Sequence, residues 1–196
     1  MILHDISRDI LKTSVYAGDP ESSVEWICQI NDGDGYNLSQ ITVSSHCATH
    51  IDAPSHFING GNTISEQNLK KFYGACTVVT IEGILTGEDM EKLLPYCKKR
   101  VLFKGGCRAF VSPSAAIVLA DSHVILVGTD AQSIATINDE SKTHRELLGS
   151  DIAILEGLDL SNIHDGEYLL CAFPLKISGL EASPCRAVLL EQEKGF

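Results

Sequence analysis

One stretch constrains this chain more than any other: His46-Cys-Ala-Thr-His50-Ile-Asp52-Ala-Pro-Ser-His56, three of the chain's seven histidines and an aspartate within eleven residues. Imidazole and carboxylate are the donors that suit Zn²⁺ or Mn²⁺. On a flat strand His46 and His50 would stand roughly 13 Å apart, at ~3.3 Å per residue. Imidazole nitrogens bind a metal at only ~2.1 Å, so a flat strand would keep them from sharing one ion. On a helical turn, residues four apart lie ~5–6 Å from each other. Pro54 biases Ala53 away from helix, so the chain bends between His50 and Pro54. The spacing therefore predicts a tight, irregular turn on which His46, His50 and Asp52 converge. The competing reading is a polar surface loop with incidental histidines.

Around this stretch the pattern is mixed α/β. Ile2–Asp5, Val24–Ile30 and Asn37–Ser44 read as early strands, with Tyr16–Glu21 forming a turn punctuated by Gly18 and Pro20. Residues 45–63 lack periodicity and read as one long loop, the kind that carries function in a compact domain. Ala75–Ile81, Val101–Phe103, Val124–Val127 and Ile152–Leu155 read as apolar strands. Thr86 and Asp89 resemble a capping box opening a helix to about Lys98. Ser112 followed by Pro113 marks a second helix to about Leu119. This alternation predicts βαβ units feeding a partly parallel sheet, closed by strands at Tyr168–Ala172 and Ala187–Leu190. With 196 residues, one domain spanning 1–196 buries roughly 70% of its unfolded surface.

A second, weaker cluster lies downstream. Asp130 follows the apolar run ending in Gly128-Thr129, at a strand's carboxyl end where α/β proteins place function. Glu156 ends the run Ile152–Leu155, and His144 precedes Leu147-Leu148-Gly149. A solvated histidine and a strand-end glutamate are the bland alternatives. Seven cysteines, an odd number without CxxC spacing, read for the most part as buried small side chains in a reducing compartment. Cys47, beside a candidate ligand, has three readings: a packed thiol, a zinc ligand or a nucleophile paired with a histidine. Trp26 alternates within a strand and reads as core or interface rather than substrate wall.

The formal net charge of −11 argues against a nucleic-acid backbone or an anionic membrane as partner. The opening MILHDISRDI carries charge where a signal peptide would be apolar, so the expected location is cytoplasmic.

HCATHIDAPSHF resembles the HxGTHxDxPxHF hallmark of the cyclase family that includes bacterial kynurenine formamidase. Every specified position matches except Gly, which is Ala48 here and narrows the torsions open to the backbone. The likeness runs through HDIS, Val15–Pro20, Val127–Asp130, His144 to Glu156-Gly-Leu and Pro174 to Ala187, nearly the whole chain. It implies a compact α/β fold of the swivelling β/β/α type, a mixed, β-barrel-like sheet with flanking helices, assembled as a homodimer or larger homo-oligomer. It implies two divalent ions, zinc or in some members manganese. Carried over, His46, His50 and Asp52 would bind the first ion. Asp52, His144 and Glu156 would bind the second, Asp52 bridging. His56 matches the family's catalytic histidine, and Tyr16 falls where members carry an aromatic near the substrate. The usual P-W-P-G-D reads V-Y-A-G-D here, which leaves the substrate open.

A metal pair suits hydrolysis of a small-molecule amide, and the resemblance implies an N-formyl aryl amine such as N-formylkynurenine. A metal pair lowers the pKa of bound water toward ~7, so hydroxide is available near neutrality, and it steadies the oxyanion. His56, with an ordinary pKa of ~6.5, is the expected proton shuttle. Cyclic amides and lactones, a silent metal-binding scaffold, and acyl transfer through Cys47 are the alternatives.

Overall fold

The computed structural model describes residues 1–191; the last five residues of the expected domain lie outside the described residues. Among the described residues, thirteen strands and three α-helices follow one another. The strands are β1 (Ile2–Asp5), β2 (Ser23–Cys28), β3 (Leu38–Thr42), β4 (His50–Asp52), β5 (Tyr73–Thr80), β6 (Ile84–Leu85) and β7 (Arg100–Lys104). After them come β8 (Phe110–Val111), β9 (Leu126–Thr129), β10 (Ala153–Glu156), β11 (Gly166–Cys171), β12 (Ala182–Pro184) and β13 (Val188–Glu191). The helices are α1 (Gly87–Leu93), α2 (Pro113–Ala120) and α3 (Glu140–Gly149).

Nine strands form one mixed sheet in the order β1-β13-β11-β5-β7-β9-β10-β4-β12. The middle strands β5, β7, β9 and β10 run parallel, and antiparallel strands flank them on both sides. The connectivity shows that this sheet is curled. β12 and β13 stand seven places apart in that order, roughly 34 Å in a flat sheet at ~4.8 Å per strand. Yet only Cys185, Arg186 and Ala187 separate them in the chain, a link that reaches at most roughly 14 Å. The strip bends until its two ends are near each other, which is the barrel-like core the family resemblance implied.

Curling gives the central strands two buried faces. Leu102, Leu126 and Leu155 point into the hollow with Ile51, Phe72 and Leu189. Their neighbours Val101, Phe103, Val127 and Ile154 point outward against Met90, Ala115, Leu119 and Leu147 of the three helices. That is why these strands read as unbroken apolar runs rather than alternating ones.

Local chemistry sets most boundaries. The Thr86/Asp89 capping box opens α1 and Ser112 caps α2, both as expected. α1 stops at Leu93 rather than near Lys98, because Pro95 cannot continue an α-helix and the chain tightens into a 3-10 turn, Leu94–Tyr96. The expected strands at 124–127 and 152–155 sit one or two residues further on, as β9 and β10. Residues 45–63 are not one irregular loop: they contain β4 and the 3-10 turn Pro54–His56.

Among the described residues β2 and β3 pair only with each other, and Trp26 on β2 is half exposed, which excludes the core for that side chain. Of the cysteines, Cys47 and Cys76 are buried, Cys107 is exposed and the rest are intermediate; all seven are free. Burial as small core side chains thus holds for two rather than for most. Among the described residues no helix is long and apolar enough to cross a membrane.

Candidate metal centre

β4 lies between β10 and β12, and on a strand residues two apart share a face. His50 and Asp52 therefore project together, on the side of Ile154 and the helices, while Ile51 between them points into the hollow. The antiparallel register sets Glu156 of β10 opposite His50. The convergence of His50 and Asp52 thus comes from the strand's period of two and not from a helical turn. The irregular turn exists one step earlier: Ala48 adopts φ +52°, the left-handed region that disfavours a side chain, and this reversal brings His46 back to its neighbours. His144 arrives from α3, on the face that also buries Leu147 and Leu148.

Five side chains from four segments meet. His46 Nδ1 is 3.1 Å from Asp52 Oδ1, and His50 Nε2 is 3.5 Å from the same oxygen. His50 Nε2 is also 3.3 Å from Glu156 Oε2. His144 Nε2 stands 3.3 Å from Glu156 Oε1 and 3.7 Å from Asp52 Oδ2. Donor atoms of His50, Asp52 and Glu156 lie within 4.8 Å of one another, and so do those of His46, Asp52 and His56. Asp52 belongs to both groups. The His56 ring is 4.2 Å from that of His46 and 5.9 Å from that of His144.

The backbone orients the histidines. His50 Nδ1 donates to the Ala48 carbonyl at 3.1 Å, and His144 Nδ1 donates to the Glu140 carbonyl at 2.8 Å. Each ring thereby turns its Nε2 to the cluster, the arrangement that outer partners impose on metal-binding imidazoles. His46 Nε2 faces Glu181 Oε1 at 3.3 Å, and Glu156 Oε1 accepts from the Ile134 N–H at 2.7 Å.

The charge state of the cluster follows. For His46 and His144 burial works against the charged form, but the adjacent Asp52 and Glu156 carboxylates outweigh it, pushing each up to about 9. The same partners raise His50 against its burial. Burial favours the neutral acids, yet the surrounding imidazoles hold Asp52 and Glu156 below the usual carboxylate range. His56 is the exception: desolvation and the neighbouring His46 and His144 keep it below its ordinary value.

The donor set fits a divalent cation. Asp52 Oδ1 and Oδ2 and His50 Nε2 are fully buried without a hydrogen-bond partner, although charged groups surround them. An unpaired buried polar atom costs about 1–3 kcal/mol, and a cation coordinated by these atoms removes that cost.

In front of the cluster lies a cavity of about 190 Å³. Tyr16, Asp19, Phe57, Gln132, Ser133 and Glu140 line it together with four of the histidines and Glu156. The Tyr16 phenol is pushed up to about 12, first by desolvation and then by the nearby Glu140 carboxylate. A larger groove of about 600 Å³, along Ile10, Leu11, Ile41 and Leu175, contains none of the clustered residues.

His46, His50, Asp52, His56, His144, Glu156 and Tyr16 are thus brought together. Asp130 is not: its Oδ2 accepts from the Gly105 N–H at 2.9 Å, and its side chain lines no part of this cavity. Cys47 is buried with its thiol raised by desolvation, the packed reading. Glu181, Asp19, Ser133 and Glu140 were missed. Glu140 stands four residues before His144, a spacing that becomes proximity only once α3 forms, and the pairing of β12 with β4 brings in the neighbouring Glu181.

The chain matches the family model "Cyclase", described as "Putative cyclase", over residues 4–136. It is 36% identical over 206 residues to a kynurenine formamidase of Salinibacter ruber (strain DSM 13855 / M31), covering 96% of this chain and 97% of that one. It is also 36% identical over 192 residues to a kynurenine formamidase of Erythrobacter litoralis (strain HTCC2594), covering 90% and 88%. Among solved structures, a "potential metal-dependent hydrolase with cyclase activity" superposes with a TM-score of 0.82 at 30% identity, covering 98% of each chain.

Proposed function

This chain belongs to the cyclase family and is a hydrolase, and from that premise we propose that it hydrolyses an N-formyl aryl amine such as N-formylkynurenine with divalent metal ions. One observation carries the reading: three imidazoles and two carboxylates, from segments up to about a hundred residues apart, converge around buried atoms that have no hydrogen-bond partner.

His46, His50, Asp52, His144 and Glu156 would hold two ions, zinc or alternatively manganese; Asp52 belongs to both groups of clustered donors. When bound, such ions polarise a carbonyl and make water acidic enough to ionise near neutrality. The chain's own groups do the rest. His56, beside His46 and held below its ordinary pKa, is neutral at pH 7; it takes a proton from the attacking water and returns it to the leaving nitrogen. Glu181 and the carbonyls of Ala48 and Glu140 fix the orientations of His46, His50 and His144. Phe57 and Tyr16 form walls for an aryl ring.

In this reading residues 1–196 work as one domain, in the cytoplasm, on a small-molecule amide. Seven free cysteines suit that reducing compartment. Val24, Trp26 and Ile41, exposed on the β2–β3 ribbon, offer an apolar face for a homodimer or larger homo-oligomer.

The test is elemental analysis of the purified protein coupled to a formylkynurenine assay before and after EDTA. Bound zinc or manganese and activity abolished by the chelator are expected. Activity that survives complete metal removal would sink the proposal.

A further inference from the structure

Thr49 stands beside the clustered residues without facing their cavity. It is 1% exposed and lines no part of the space before the cluster. The β4–β10 ladder ends at the pair His50–Glu156, where Ala48 at φ +52° and Gly157 at φ +66° leave the extended conformation. Two of the clustered side chains therefore sit on the last rung, the part of a ladder that frays most readily. Thr49 Oγ1 donates to the Gly157 carbonyl at 2.6 Å, a side-chain bond in place of the next rung.

A second tie runs through the same oxygen. It accepts the Arg8 N–H at 2.9 Å, and the Arg8 guanidinium donates to the Leu158 carbonyl from Nε at 3.2 Å and from Nη2 at 3.0 Å. Both ties thus end on the two residues that follow Glu156. The Thr49 hydroxyl serves as donor and acceptor at once, a pair of roles that a methyl group cannot fill.

Resting on the metal-hydrolase reading above, we propose that Thr49 is a positioning residue for the metal centre: its hydroxyl holds Glu156 where it and His50 can reach one cation. Metal–donor distances tolerate only about 0.2 Å. A loosened last rung misplaces the Glu156 carboxylate, whose Oε2 is 3.3 Å from His50 Nε2, and weakens the hold on an ion between them. Because Thr49 lies outside the cavity, its hydroxyl governs how tightly the ion is held and not how the amide docks.

The experiment strips the full chain with EDTA and titrates it with zinc, and separately with manganese, against a competing chelator. Thr49→Val removes the hydroxyl at nearly constant shape, and zinc affinity should fall about tenfold, the lower end of the usual cost of losing an outer partner. Thr49→Ser keeps the hydroxyl and should restore the affinity. Ser112→Ala, which removes the cap of α2 and so costs stability away from the cluster, should bind zinc like the unaltered chain. If the valine variant does not fold, Thr49→Ala against Thr49→Ser reads the same contrast. Equal affinity in Thr49→Val and the unaltered chain, a serine variant as weak as the valine one, or an equal loss in Ser112→Ala overturns the proposal. An unaltered chain that takes up neither zinc nor manganese overturns the metal reading itself, and this role with it.

Discussion

His50 and Glu156 occupy opposed positions on β4 and β10, with Nε2 3.3 Å from Oε2, so a single register step of the sheet sets a base beside an acid in the buried interior. Replacing Glu156 by Gln keeps the shape and removes the charge. Metal affinity should fall at least ~10-fold, because a neutral amide is a far poorer partner for a hard cation. Dialysis followed by elemental analysis checks this; unchanged metal content would show that Glu156 holds no ion.

His56→Asn should separate proton transfer from metal holding. The expected loss is roughly 10²–10⁴ in kcat, the usual share of general acid–base catalysis, with metal content close to that of the unaltered protein. A variant that loses its metal instead would make His56 a ligand, which its proximity to His46 and Asp52 also allows geometrically.

The metal-free protein should show a defined dependence on pH. His46 and His144 are raised to about 9 from an ordinary 6.5, so each favours folding below pH 6.5, where both states are protonated and the native imidazolium is paired. That contribution is lost as pH rises from 6.5 through 9. A cation must displace those protons, so metal affinity should rise with pH over the same window, with proton release near neutrality. Titration calorimetry in buffers of different ionisation heat counts the protons. Uptake without release would contradict the charge state derived for the cluster.

Ala48 and Gly157 test the reversal that brings His46 to its neighbours. Ala48→Gly relieves a left-handed residue at φ +52°, worth ~1–2 kcal/mol against ~0.4–1 kcal/mol lost to the freer unfolded chain. The expected net gain is up to about 1.6 kcal/mol, or at most ~3–6 °C in Tm for a chain of this size. Gly157→Ala should do the reverse: its φ is +66°, and a Cβ would lie 2.1 Å from the Ala48 carbonyl oxygen. Differential scanning calorimetry of both variants checks the pair; equal Tm values would contradict the strain at Ala48.

Much of the site was legible in one dimension. The spacing of His46, His50 and Asp52 pointed to convergence there, but the bend expected between His50 and Pro54 is absent: residues 50–52 form β4 and Ala53 is extended. The means of convergence was misread, because a three-residue strand between two partners carries no periodicity to recognise: His50 and Asp52 align by strand alternation, and the turn belongs to Ala48. α3 was not foreseen either. Its only buried side chains are Thr143, His144, Leu147 and Leu148, and a short run so rich in charge gives a weak pattern before the sheet supplies a surface to pack on.

By itself the sequence determined the chemistry available to this protein, since the identity and spacing of imidazoles, carboxylates and turn residues are local properties of the chain. It also determined the parallel centre of the sheet, whose doubly buried strands must be apolar throughout. Only the tertiary structure decided that Glu181 reaches His46, that Glu140 and Asp19 face one cavity, and that Asp130 turns away to Gly105. Those outcomes depend on strand register and on the curl that brings β12 back toward β13, and both arise from packing between segments too distant for any sequence spacing to encode.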